Sequence, residues 1–545
     1  MNDNTASRRL HINITLLVAV LAGGLRLLRA AETPPKPLYP GLTPACACES
    51  LTNLSLPNTT IESAVVDTSN RMCRVTAIVT HPPAGDRVKV WIGLPLTNWN
   101  GRFQGTGGGG FLGGHSNSLR GPVRQGFSAG ATDTGHEGGS GKFALDANGR
   151  LDWQAIIDNA YLGIHKMTVV GKALTKAFYG KAPRYSYFVG GSTGGRQGLM
   201  EAQRFPDDYD GIISACPAIN WHRFVSASLW PQVVMIEMKN FVSKAKLDAA
   251  TAAAIAACDA DDAVKDGVID DPFHCAYDPK ALVGTKVGDD TFTAADAAVI
   301  RKIWEGPHTQ DGRFMWYGLE RGADMFPYAG TSGSGTGGSP LNGKPFSIAL
   351  EYWLYYLAQD AKWDWSTLTY SGFEQLWTKS VEQYGAVIGT DDPDLTRFRD
   401  RGGKVIIYHG LADELIPAAG SIDYYKRLQQ RMGKLAMQEK GIKFADAFVE
   451  ELKRDDEGKK LDPAKLTVGQ KRKFTIRAYC RHAPKYSLYA LRHSWATRAL
   501  QSGMDALTVA ILMGHNDPST LSKVYQHLAH SPEHMLKQAR KAAGE

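Results

Sequence analysis

The tightest constraint in this 545-residue chain is the pentapeptide Gly190-Gly191-Ser192-Thr193-Gly194, set between a β-rich run, Tyr185 to Val189, and a helix-forming run, Arg196 to Arg204. A strand that turns into a helix within so few residues leaves no room for side chains two positions either side of the serine. Glycine at 190 and 194 meets that need. The turn lifts the serine oxygen onto the carboxyl edge of a sheet, above a helix N-terminus, where the Thr193 N–H faces charge developing at Ser192. A second N–H is expected from an earlier glycine loop after a strand. Gly107 to Gly110, with Gly108 as the donor, follow the strand-like run Val88 to Leu94. The alternative is a Gly/Ser turn without chemistry, but strand before and helix after favour a nucleophile.

The rest of the chain repeats this rhythm. Asp152 to Tyr179 has helical periodicity, and Lys404 to Tyr408 is a strand ending in His409-Gly410-Leu411-Ala412-Asp413. Strands alternating with helices predict an α/β fold with a parallel, doubly wound sheet. Residues 220–390 break the alternation, are rich in Trp and Tyr, and contain a Gly/Ser-rich stretch at 330–343. They are expected to form an inserted lid, dividing the core into residues 32–219 and 391–432. A chain this long exceeds one core. Residues 434–545 carry 20 Lys and Arg against 12 Asp and Glu, whereas the preceding residues balance at 42 against 43. A junction at 433–470 and a basic module at 471–545 follow from that shift.

Arg8 and Arg9, the apolar run Ile14 to Leu25, and Ala30-Ala31 predict a signal peptide over residues 1–31. The competing reading is an N-terminal anchor. Six of the seven cysteines lie in residues 46–275, which fits a secreted or periplasmic body. No later stretch is apolar enough to span a bilayer.

Two longer stretches carry a specific resemblance. Gly126-Phe127-Ser128-Ala129-Gly130-Ala131-Thr132-Asp133-Thr134-Gly135-His136, and the run from Gly190 through Arg196-Gln197-Gly198-Leu199, Glu201-Ala202-Gln203-Arg204-Phe205-Pro206 and Tyr209-Asp210-Gly211-Ile212, resemble the tannase and feruloyl esterase family. Similarity covers about Ala45 to Met432. The resemblance implies an α/β-hydrolase fold and hydrolysis of aromatic-acid esters: gallates, feruloyl esters and terephthalate monoesters. It also implies a triad in the order Ser, Asp, His, with Asp413 as the acid that orients an imidazolium.

The loop Cys258-Asp259-Ala260-Asp261-Asp262-Ala263-Val264-Lys265-Asp266-Gly267-Val268 crowds four carboxylates. A hard cation such as Ca²⁺ would relieve their repulsion; the alternative is a solvated acidic loop. The family's lid site implies side chains from Asp259, Asp262 and Asp266 and carbonyls from Val264 and Val268 around a structural calcium. It also implies a Cys258–Cys275 disulfide. Cys73 has two possible partners, Cys46 and Cys48, which spacing does not separate.

Two departures stand out. Many members have a cysteine where this chain has Gly191, bonded to one just after the catalytic histidine. More seriously, the first histidine after Asp413 is His482, and no Gly-Met-rich histidine segment intervenes. Without an imidazole base the Ser192 hydroxyl is a poor nucleophile at neutral pH.

The tail resembles a different family. Leu491-Arg492-His493-Ser494-Trp495-Ala496-Thr497, Met513-Gly514-His515 and Val524-Tyr525-Gln526-His527 are similar to the carboxyl-terminal part of tyrosine recombinases, the phage integrase family. The resemblance implies phosphate-stabilising roles for Arg492 and His515 and a nucleophilic Tyr525. Tyr489 stands where that family has His or Lys, and its upstream arginine and lysine have no counterpart. The basic charge suits either weak DNA binding or a solvated helical face. Three readings follow: an esterase with a substitute base, a DNA strand-exchange or DNA-binding protein, and an inactive fusion remnant.

Overall fold

The computed structural model describes residues 35–262, 265–333 and 340–432. Short runs of β-branched and aromatic residues form eight strands: β1 Thr59–Asp67, β2 Met72–Val79, β3 Val88–Pro95, β4 Arg102–Thr106, β5 Ser128–Thr132, β6 Tyr185–Gly191, β7 Gly211–Ala215 and β8 Lys404–Tyr408. They build one sheet in the order β1-β2-β3-β5-β4-β6-β7-β8. From β5 to β8 all pairs are parallel, as the α/β reading expects. From β1 to β5 they are antiparallel. Only four residues join β1 to β2, too few for the crossover that parallel pairing needs.

Three helices cover one face of the parallel half: α1 Gly163–Tyr179, α2 Thr193–Arg204 and α6 Ala418–Arg431. Ile164, Met167 and Leu174 of α1 pack on Phe103, Phe188 and Ile212 of the sheet. Leu199 of α2 and Tyr424 of α6 close over Val405 and Ile407 of β8. Gly180, at φ 68°, ends α1 in the left-handed conformation that glycine adopts without steric cost.

The helix expected over Asp152 to Tyr179 is interrupted by a wide, π-type turn at Asp158–Leu162. The fully buried Arg196 of α2 donates there to the carbonyls of Ala160 (2.9 Å) and Asn159 (3.2 Å). Its guanidinium also lies 5.9 Å from the ring of Trp221.

Between β7 and β8, residues 216–403 include α3 Trp221–Ala227, α4 Lys244–Cys258 and α5 Tyr370–Ile388. They gather a core of their own from Trp221, Trp230, Phe292, Trp353, Tyr356 and Tyr384. Cys48 pairs with Cys73, and Cys258 with Cys275; Cys46 is left free, which resolves the open choice at the amino end. Among the described residues no helix is long and apolar enough to cross a membrane.

The buried guanidinium yields a stability prediction. Arg196→Ala leaves two interior carbonyls without their donor and opens a cavity, so urea unfolding should show a loss of about 3 kcal/mol or more. An unchanged midpoint would remove Arg196 from the set of core determinants.

Candidate active site

Ser192 stands at the β6–α2 junction with φ 55° and ψ −121°, a strained conformation for a residue with a side chain and one that persists only where its surroundings impose it. Here they do. The Ser192 N–H donates to Ala215 O (3.0 Å), and its carbonyl accepts from Arg196 (3.0 Å) and Ala218 (2.9 Å). A Cβ on Gly190 would lie 2.5 Å from the Gly194 backbone, and one on Gly107 would lie 2.5 Å from Gly194 Cα. Gly191 has room, meeting only Ala215 at 3.7 Å, so its loss of a side chain is not forced by packing. The helix starts at Thr193, three residues before the sequence periodicity places it; Gly194 packs on the Gly107–Gly108 loop, and a Cβ on Gly195 would lie 2.6 Å from the Ala215 carbonyl oxygen.

As the first residue of α2, Thr193 has an N–H with no acceptor inside the helix, and its hydroxyl donates to Gly110 O (2.7 Å). Gly108 lies in the loop packed on this turn. Its N–H donates to the Gln197 side chain (3.0 Å), and its carbonyl accepts from Gly194 N (3.0 Å). The loop sits against the elbow, and the Gly108 amide braces it on α2 through Gln197. Gln197 was visible only as part of a motif; nothing in its spacing signalled that it would take this donor.

Asp413 lies in the loop after β8, one strand removed from β7 and two from β6. Its Oδ1 accepts from the amides of Leu415 (2.9 Å) and Ile416 (3.0 Å), and Oδ2 lies 3.3 Å from His409 Nε2. Burial works to raise its pKa, but the His409 contact and the two amides outweigh it and hold the carboxyl below its ordinary value. His409 is committed elsewhere: Nδ1 contacts Ser421 Oγ (2.8 Å) and Nε2 the carbonyl of Ile416 (3.0 Å). His136 is stacked on Phe143 at 3.9 Å, and burial pulls its pKa down to about 4. Burial takes His222 down to about 3. Among the described residues no imidazole is hydrogen-bonded to the Ser192 hydroxyl.

Two residues of the insertion hold the Asp413 loop, and sequence reasoning missed both. The Tyr328 hydroxyl donates to Leu415 O, and Glu320 Oε1 accepts from Ala419 N at the start of α6 (2.9 Å). Burial pushes the Glu320 carboxyl up to about 7.

In the acidic loop, Asp259 Oδ1 accepts from the amides of Asp266 and Gly267, both at 3.1 Å. Asp266 Oδ1 accepts from Val268 N (3.2 Å). Val264 and the Asp262 side chain lie outside the described residues, as do the signal segment and Arg492, His515 and Tyr525.

Residues 73–449 match the family model described as tannase and feruloyl esterase. The chain belongs to the tannase and feruloyl esterase family. The match begins later than the resemblance read from the sequence and runs 17 residues past Met432. Among its curated relatives, a probable feruloyl esterase of Arthroderma benhamiae is 40% identical over 388 residues, 70% of each chain. Feruloyl esterase B of Aspergillus niger is 34% identical over 371 residues, 67% of each. The solved tannin acyl hydrolase of Aspergillus niger superposes with a TM-score of 0.63 at 30% identity, covering 69% of this chain and 75% of that one. Feruloyl esterase B from Aspergillus oryzae gives 0.62 at 27%, covering 70% and 78%. By family the esterase body is a carboxylic ester hydrolase. Residues 462–531 match the phage integrase family.

The Glu320 environment gives a pH prediction. A carboxyl raised to about 7 in the folded protein keeps a proton that the unfolded chain releases near its ordinary value, so its contribution favours folding below pH 4.5 and is lost as pH rises toward 7. Glu320→Gln should therefore flatten the decline in unfolding free energy between pH 5 and 8, by up to about 3 kcal/mol. Parallel pH profiles for the two proteins would count against this burial.

Proposed function

We propose that this chain hydrolyses carboxylic esters of phenolic acids through an acyl-enzyme on Ser192. The observation that carries the reading is the strained Ser192 at the mouth of α2, held by glycine packing that serves no other evident purpose. In the proposed reaction Ser192 Oγ attacks the ester carbonyl and loses its proton, the carbonyl oxygen takes negative charge beside the Thr193 N–H, and the alcohol leaves with a proton. Water then repeats the attack on the acyl group, releasing the acid and restoring the hydroxyl. Asp413 is the proposed acid, kept ionised by the His409 contact and by its own amide donors.

The weak element is the base. With no imidazole on Ser192 among the described residues, deprotonation is unassisted there, and turnover should fall far below the about 1–10³ s⁻¹ of ordinary enzymes. Methyl ferulate, methyl gallate and p-nitrophenyl acetate, assayed beside Ser192→Ala, test both parts. We expect slow hydrolysis that the alanine variant abolishes. Equal rates in both proteins would place the chemistry elsewhere, and serine-dependent kcat above about 1 s⁻¹ would require a base from residues 433–545.

We also propose a structural calcium in the 259–268 loop. The Asp259 bonds to the amides at 266 and 267 curl the loop back on itself, and its carboxylate and carbonyl oxygens are the donor type that suits a hard cation. The Cys258–Cys275 disulfide clamps the loop from outside. Calcium should raise the melting temperature of the parent protein and not that of Asp266→Ala. Equal responses would assign the effect to another site. Both disulfides support export to an oxidising compartment.

A further inference from the structure

Among the described residues, strands β6, β7 and β8 are covered by helices on one face only. β6, β7 and β8 alternate so that Phe188, Ile212, Val405 and Ile407 meet the helices, while Tyr187, Val189, Ile213, Ile406 and Tyr408 point the other way. On that second face Val189 and Ile213 are 36% exposed and Ile406 and Tyr408 are 59% exposed. Parallel strands are ordinarily buried on both faces, and a contiguous apolar patch of this kind marks a contact surface. A groove of about 420 Å³ runs along it, lined by Phe127, Tyr187, Val189, Ile213 and Ile406, with Arg102 and Lys404 among its polar residues.

We propose that residues 442–452 of this same chain dock in that groove and supply the missing layer. The first support is where the described chain leaves off. Met432 touches Thr396 (Oγ1 to Sδ, 4.0 Å), and Arg431 pairs with Asp394 (2.6 Å). Thr396 and Asp394 belong to the segment of chain that leads into β8, the outermost strand of the sheet. Residues 433–441 can reach about 30 Å when extended, ample to round a single strand spaced about 4.8 Å from its neighbour.

The second support is the segment's sequence. Ile442, Phe444, Phe448, Val449 and Leu452 fall on one arc at helical period, with Lys443, Asp446 and Glu450 opposite. An apolar stripe facing the bare strands would match the layer that α1, α2 and α6 already make on the other side. Charge decides between the two ends of the chain. Pro35 also lines the groove, so the amino-terminal residues pass close to it. Residues 26–34 carry Arg26, Arg29 and Glu32, a net +1 beside Arg102 and Lys404, whereas residues 442–452 carry Lys443 against Asp446, Glu450 and Glu451, a net −2. The inference does not depend on the esterase reading, since it concerns only what completes the fold.

Photo-cross-linking of the full chain tests it. The probe p-benzoylphenylalanine replaces Ile406 in one preparation and Tyr408 in another, with a third at Val169, which is 48% exposed on the opposite helical layer. Peptide mapping should find residues 442–452 joined to positions 406 and 408 within a single chain, and not to 169. Phe448→Asp should abolish that product. Capture of residues 1–34, capture of a second copy at dimer mass, or no protein cross-link from 406 and 408 would each overturn the proposal. Because Tyr408 to benzoylphenylalanine is a conservative change, loss of folding in the 406 preparation would leave the second position decisive.

Discussion

The backbone-to-backbone approach of the Gly107–Gly108 loop and the first turn of α2 is the contact on which the site depends. Gly194 N donates to Gly108 O, and neither Gly107 nor Gly190 could carry a Cβ without striking Gly194. Two long-range side-chain bonds, Gln197 to Gly108 N and Thr193 to Gly110 O, fasten the same loop to the same helix. Together they hold Ser192 in a conformation that would otherwise relax at a cost recovery of about 1–3 kcal/mol. The strain is thus maintained by packing that involves β4, β6 and β7 at once.

A second dependency runs through the insertion. Asp413 is not held by its own strand alone, because Tyr328 and Glu320, nearly a hundred residues earlier, fasten the loop and the start of α6. The apolar mass around Trp221, Trp353 and Tyr356 therefore does more than sit above the sheet. It places the carboxylate. The Cys258–Cys275 disulfide belongs to the same inserted core.

The carboxyl-terminal part changes character where the sheet is least complete. Esterase similarity runs to residue 449 and phage integrase similarity begins at 462, so two families meet within a dozen residues. Among the described residues the outer strand of the sheet exposes Ile406 and Tyr408, and the continuation of the chain must either cover them or leave an adhesive surface. The physical demand of the exposed strands, and not the ancestry of the tail, would then decide how the junction folds.

Much of this was legible in the linear chain. The Gly-x-Ser-x-Gly elbow, the strand at Lys404–Tyr408 and the break in rhythm after β7 are local signals, because turn geometry and side-chain period act over a few residues. The antiparallel start of the sheet and the wide turn at Asp158–Leu162 were not read, since pairing and helix distortion answer to partners far away. Cys48 rather than Cys46 as the mate of Cys73, Gln197 as the acceptor for Gly108 N, and Glu320 beside the Asp413 loop belong to the same class. The sequence by itself determined that a serine must stand at a strand–helix turn, because only glycine permits that turn. The tertiary structure alone decided which donors and carboxyls surround it, because those contacts join residues tens to hundreds of positions apart whose distances no local rule constrains.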